Sequence, residues 1–95
     1  MNAMKTPKFQ MGSLTAAPGA LEALQEAGQS PLEFLRRHAA GDWGDVSAED
    51  KALNDQAILD GDRLLSAYRT TKGTKLWIIT EADRSVTTIL LPDEY

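Results

Sequence analysis

His38 is the only histidine in the sequence and the only side chain whose ordinary pKa lies close to neutrality, so it is the first residue to consider for acid–base chemistry. A structural role competes with that one. His38 falls near the end of a helical segment, where a protonated imidazole is favoured beside the negative end of the helix dipole and its ring can lie over Phe34 one turn back. Asp42 and Asp45 follow and outline a conceivable metal cluster with it. Structural zinc, however, wants four nitrogen or sulfur ligands, and calcium loops are longer and richer in acids, so no metal is expected. The two aspartates are expected instead to make turn and cap hydrogen bonds around Trp43.

A second constellation lies in the last third of the chain. Arg63, Tyr68, Arg69, Lys75, Thr80, Glu81, Arg84 and Thr87 supply bases, hydroxyls and one acid, a set able to hold a phosphate and move a proton in metal-free RNA cleavage. The competing reading is plainer: Asp83 and Arg84 close a loop, while Lys72 and Lys75 solubilise a hairpin. The candidate catalytic residues are therefore His38, Arg63, Arg69, Glu81 and Arg84, and the candidate binding residues Trp43, Tyr68, Lys75, Trp77 and Arg84. No GxGxxG after a strand and no GxxxxGK[ST] is present, so no cofactor is expected.

The elements that must position these groups follow from period and punctuation. Residues 1–14 carry no helical period and include Pro7 and Gly12, which reads as a partly flexible arm, with residues 9–11 a candidate extra edge strand. Residues 18–27 open on Pro18, space Leu21 and Leu24 one turn apart and stop at Gly28. A second helix starts at Ser30-Pro31-Leu32-Glu33, a capping-box pattern, and ends at Gly41. Trp43 in the following turn is expected to plug an edge of the core. Ser47 caps a third helix that runs to about Asp60, with Gly61 as its stop; its apolar positions are split, so its orientation is open. Beyond Gly61 the period changes to that of strands, over 63–69, 75–80 and 86–91. The expected fold is α+β: three short helices, then a three-stranded antiparallel meander, in one domain spanning 15–95.

Strands two and three are apolar on both faces, which a half-solvated sheet is not. Either helices and arm cover both faces or a partner does, and a homodimer through the sheet is one such arrangement.

Composition limits the function classes. The 95 residues suffice for one core, and 42% hydrophobic with 25% charged residues is the balance of a globular chain. With no cysteine, neither disulfides nor thiolate zinc can hold it, which fits a cytoplasmic protein. No apolar run is long enough for a signal peptide or a membrane span. The net charge of −4 is unevenly spread: ten acids and three bases from Thr15 to Asp62, against four acids and five bases from Arg63 onward. Bulk charge does not favour nucleic acid, although arginines on the sheet could contact phosphates locally.

The blocks HAAGDWGD (38–45), RLLSAYRT (63–70) and LWIITEADRSVTTILLPDEY (76–95) resemble a family of small uncharacterised bacterial proteins, often encoded on plasmids and integrated mobile elements. The resemblance covers most of the chain after Thr15 and implies an accessory role, with no established activity to carry across. A more distant similarity of architecture, helices first and then a meander with arginines, is to barnase-like toxin ribonucleases, which commonly place a histidine late in the sheet, where this chain has none. The leading expectation is a non-catalytic module that binds an unknown protein partner. A metal-independent ribonuclease-like enzyme comes second, and an acidic nucleic-acid mimic third.

Overall fold

Four strands and three helices appear in the computed structural model, which describes residues 7–95. In chain order they are β1 (Ser13–Ala16), α1 (Pro18–Ala27), α2 (Pro31–Ala39), α3 (Ala48–Asp60), β2 (Leu64–Arg69), β3 (Lys75–Thr80) and β4 (Val86–Leu90), followed by a 3-10 turn at Pro92–Glu94. Of the arm expected over 1–14, residues 1–6 lie outside the described part.

The α+β class is as expected, but the sheet is larger than a meander. Strands β2, β3 and β4 pair antiparallel in sequence, and β1 adds to β4 in parallel, giving the order β1-β4-β3-β2 and a four-stranded mixed sheet. The extra edge strand falls at Ser13–Ala16 rather than at 9–11. Gly12, at φ +66, turns the chain into it so close to the β3–β4 loop that a Cβ there would lie 2.3 Å from the Ser85 carbonyl oxygen.

The caps explain the helix ends. Gly28 and Gly61 take the left-handed conformation that closes α1 and α3, and the Ser47 hydroxyl accepts from the Asp50 N–H. At α2 the expected capping box is only half present: Ser30 Oγ accepts from the Leu32 N–H, while Glu33 accepts from the Gln29 amide instead. Helix α1 has no side-chain cap of its own. The Glu94 carboxylate supplies one from the far end of the chain, accepting from the N–H groups of Gly19 (2.7 Å), Ala20 (3.2 Å) and Leu91 (2.9 Å), and these bonds hold its pKa below the ordinary value.

Helices α1 and α2 cover one face of the sheet. There Ala20, Leu24, Phe34 and Leu35 bury Tyr68, Leu76, Ile78 and Ile89 in the main core. Trp43, Ala57 and Leu64 form a second cluster with Phe9, Val46 and Ile58, so Trp43 does plug the core at its edge.

Helix α3 lies along the β2 rim, turned so that Asn54 and Ala57 face inward while Leu53 and Leu59 stay exposed. Asn54 has a specific task. Its amide donates to the Leu65 carbonyl (2.9 Å) and accepts from the Leu65 N–H (3.2 Å), pairing both outward groups of an edge residue. The next outward residue, Ala67, accepts from the Asp45 N–H (2.6 Å) and donates to the Trp43 carbonyl (3.0 Å). The β2 edge is thereby closed.

The buried side chains of α1–α3 do not reach the other face, although Ala67, Ile79 and Leu90 are themselves buried there. Alternation places Leu65, Ala67, Trp77, Ile79, Val86 and Leu90 there, and the chain end folds back so that Tyr95 meets Trp77 edge-on at 5.9 Å between ring centroids.

Candidate functional site

The sheet separates the groups that RNA cleavage would need together. His38, Tyr68, Thr80 and Thr87 lie on the helix-covered face, whereas Arg63, Arg69, Lys75, Trp77 and Glu81 lie on or beside the open one. Even within the open face, Arg63 and Arg69 stand at opposite ends of β2, about 20 Å apart at 3.3 Å per residue.

His38 is wholly buried and belongs to a chain of four hydrogen bonds. Ser66 Oγ lies 2.6 Å from Nδ1, Nε2 lies 2.8 Å from Thr80 Oγ1, and Thr80 Oγ1 lies 2.7 Å from Thr87 Oγ1, which donates to the Met11 carbonyl at 2.7 Å. A carbonyl only accepts, so the direction of three of the four bonds follows. Thr87 spends its one proton on Met11, Thr80 must then donate to Thr87, and Nε2 must carry the proton that reaches Thr80. Burial first, and then the charge of Arg84, lower the ring's pKa to about 3, so at neutral pH the imidazole is neutral and Nδ1 accepts from Ser66.

His38 does stand in the last turn of α2, but the expectation of a protonated ring over Phe34 is corrected. Phe9 of the arm meets the ring edge-on at 5.2 Å and Trp43 does so at 5.6 Å, while Phe9 and Trp43 stack on each other at 6.1 Å. A serine hydrogen-bonded to a neutral imidazole resembles an activated nucleophile, but Ser66, His38 and Thr80 are all sealed from solvent. The arrangement fixes packing and has no route to a substrate.

Arg84 is committed to structure as well. It is the one non-glycine residue with positive φ (+62°) among the described residues, and its guanidinium donates to the carbonyls of Asp62 (2.7 Å), Ala57 (3.0 Å), Glu81 (3.1 Å) and Ala82 (3.2 Å). It ties the end of α3 to the β3–β4 loop, and Asp83 completes that loop by accepting from the Ser85 N–H. Tyr68 donates to the Asp42 carbonyl, lies under the Arg37 guanidinium, and has its pKa pushed up to about 12, chiefly by burial.

The two linker aspartates engage arginines. Asp42 pairs with Arg37 at 2.7 Å, which lowers the carboxyl pKa and raises that of the guanidinium, and Asp45 lies 3.5 Å from Arg69. These four side chains rim a small polar hollow beside Tyr68. Among the described residues no group of three or more histidines, cysteines or carboxylates could hold a metal ion. On the open face, Arg63 pairs with Glu81 at 3.4 Å and donates to the Tyr95 hydroxyl at 2.6 Å, beside the half-buried Trp77. Lys75 is exposed at the start of β3.

A larger concavity lies elsewhere. Between β1 and α2 runs a groove of about 590 Å³, with Met11 and Leu14 on one side and Leu32, Leu35, Arg36 and Ala39 on the other. Leu14 is 50% and Leu32 51% exposed. Its one carboxylate, Asp42, is paired with Arg37 at the groove's end, and the groove is of the size and largely apolar character of a binding site. None of these residues stood out in the sequence as functional. The available signal pointed inward: Leu32 shares an apolar stripe with Leu35 and Ala39, which reads as core although Leu32 is exposed, and Leu14 lies in a short segment without strand alternation.

Among the described residues no helix is long and apolar enough to cross a membrane. Compared with protein-family models, with curated proteins and with solved structures, the chain matches none.

Proposed function

We propose that this chain is a non-catalytic protein-binding module. One observation carries the reading: His38, Arg84 and Asp42 are held in internal hydrogen bonds and ion pairs, while the groove between β1 and α2 is mostly apolar and its only carboxylate, Asp42, is already paired with Arg37. Such a surface suits the apolar side chains of a protein partner better than a substrate to be transformed. The resemblance of the segments 38–45, 63–70 and 76–95 to small proteins of plasmids and mobile elements supports an accessory role in that setting. The acidic-mimic alternative is weakened by α3, where Asp55 accepts from Trp43 Nε1 and Asp60 from the Gln56 amide, so that its carboxylates do not form one free row.

The test has two parts. Purified protein incubated with total RNA, with and without chelator, is expected to leave the RNA intact. A partner captured from a lysate of the bacterial host is expected to be lost with Leu32→Asp, a change at an exposed position that spares the core. RNA cleavage that disappears in Arg63→Ala, or equal capture by wild type and variant, would overturn the reading.

A further inference from the structure

The two rims of the sheet are finished differently. At β2 the outward polar groups of Leu65 and Ala67 are paired by Asn54 and by the linker backbone. At β1, the N–H groups of Ser13 and Ala17 point to β4 and donate to Ser85 (3.0 Å) and Ile89 (2.8 Å). Alternation then turns the N–H and C=O of Leu14 and Ala16 away from β4, and no other described residue bonds to them. The strand Ser-Leu-Thr-Ala also lacks the lysine, proline or bulge with which exposed edges are usually blunted.

This open rim is also a wall of the groove. Leu14 projects on the helix side, facing Leu32, Leu35 and Ala39 of α2, and Arg36 stands at the border. Arg37 is held by Asp42, but Arg36 pairs with no carboxylate among the described residues. An unpaired strand edge, an apolar trough beside it and a free cation on the flanking helix are the three elements by which an extended peptide is bound as an added strand.

We propose that β1 accepts, as a fifth strand, an extended segment of a partner protein with apolar side chains at alternate positions and a carboxylate that reaches Arg36. This rests on the binding-module reading and adds the mode of binding and the chemistry of the partner. The main-chain groups of Leu14 and Ala16 supply the pairing. Every second side chain of the segment enters the groove, and the next turns to the open face. A second copy of this chain fits less well. Its own β1 carries no carboxylate for Arg36, and on the helix side it offers only Leu14 and Ala16, too little to fill the trough.

The test uses the whole chain labelled with 15N and a capped octapeptide in which valine and threonine alternate and the last residue is glutamate. Saturable amide shifts are expected at Leu14, Ala16, Leu32 and Arg36. Affinity should fall about tenfold when the peptide amides facing β1 are N-methylated, as when two hydrogen bonds are lost. Arg36→Glu should weaken binding of the glutamate peptide but not of its glutamine counterpart. Leu14→Pro, which removes an outward N–H together with the side chain that faces α2, should abolish binding while leaving the spectrum of the core intact. Absence of saturable shifts would overturn the proposal, and so would dimerisation through β1 without peptide. Shifts centred on Trp77 and Leu65 would overturn the site yet leave the binding-module reading standing, whereas RNA cleavage by the wild type would remove that reading itself.

Discussion

Acidification should destabilise this protein through one identifiable residue. His38 is buried as the neutral tautomer with a folded-state pKa of about 3, against about 6.5 for an exposed histidine. A base whose pKa is depressed by folding leaves the unfolded chain binding more protons below pH 6.5, so stability is full above that value and declines as pH falls toward 3. At 1.36 kcal/mol per unit the decline is about 2 kcal/mol between pH 7 and pH 5, and reaches about 4 kcal/mol by pH 3. Few carboxylates titrate between pH 7 and pH 5, so that interval isolates the imidazole. Urea unfolding followed by far-ultraviolet circular dichroism measures the effect. With a slope of about 1 kcal/mol/M for a chain of this size, the midpoint should drop by about 2 M at pH 5. His38→Gln, which cannot take up a proton there, should be less stable at pH 7 and nearly flat between pH 7 and pH 5. The chain has a single histidine, so its imidazole 15N resonances are unambiguous and should report protonated Nε2 and bare Nδ1 at neutral pH. A wild-type stability equal at the two pH values, or a resonance titrating near 6.5, would refute the hydrogen-bond chain and the burial on which the argument rests.

Three further outcomes follow from named contacts. Asn54→Leu should cost about 2 kcal/mol in urea unfolding, because it leaves the N–H and C=O of Leu65 unpaired under a helix. Gly44→Ala should cost more than about 2 kcal/mol, since Gly44 sits at φ +75 and a Cβ would lie 2.1 Å from the Ala67 carbonyl oxygen; loss of Ala67 amide protection in hydrogen exchange would locate the damage. Arg84→Met should lower the melting temperature by releasing the carbonyls of Ala57 and Asp62, and should raise the His38 pKa by removing the nearby positive charge, which the same 15N titration reads.

The helices and three of the strands were legible because their signals are local: proline at the first turn, glycine past the last, serine caps, and the switch of period after Gly61. Trp43 was legible for a similar reason, as a large apolar residue in a turn has few places to go but the core. What escaped depends on partners distant in sequence. Strand β1 is four residues of weak alternation whose pairing partner begins at Val86, so nothing near it in the chain announces the strand. The direction of His38 was missed because its acceptor and donor come from β2 and β3, and no helix-end rule reports them. Asn54 drew no expectation from the sequence, yet its amide pairs both outward groups of Leu65 at the β2 rim. The groove could not be read at all, since it forms only when β1 and α2 come together.

The parallel pairing of β1 with β4 also fixes an order of events. Thr15 meets Thr88 across 73 positions of sequence, so this contact carries the largest loop-closure entropy in the sheet, whereas the β2–β3 and β3–β4 hairpins close over short turns. On a ribosome, β4 emerges only after every helix has been made, and β1 must wait for it. We expect β1 to dock last in folding and to exchange its amide protons sooner than β3 does. The groove would then be the youngest surface of the molecule, complete only when the sheet is, and a partner strand seated there would lock the last step of folding in place.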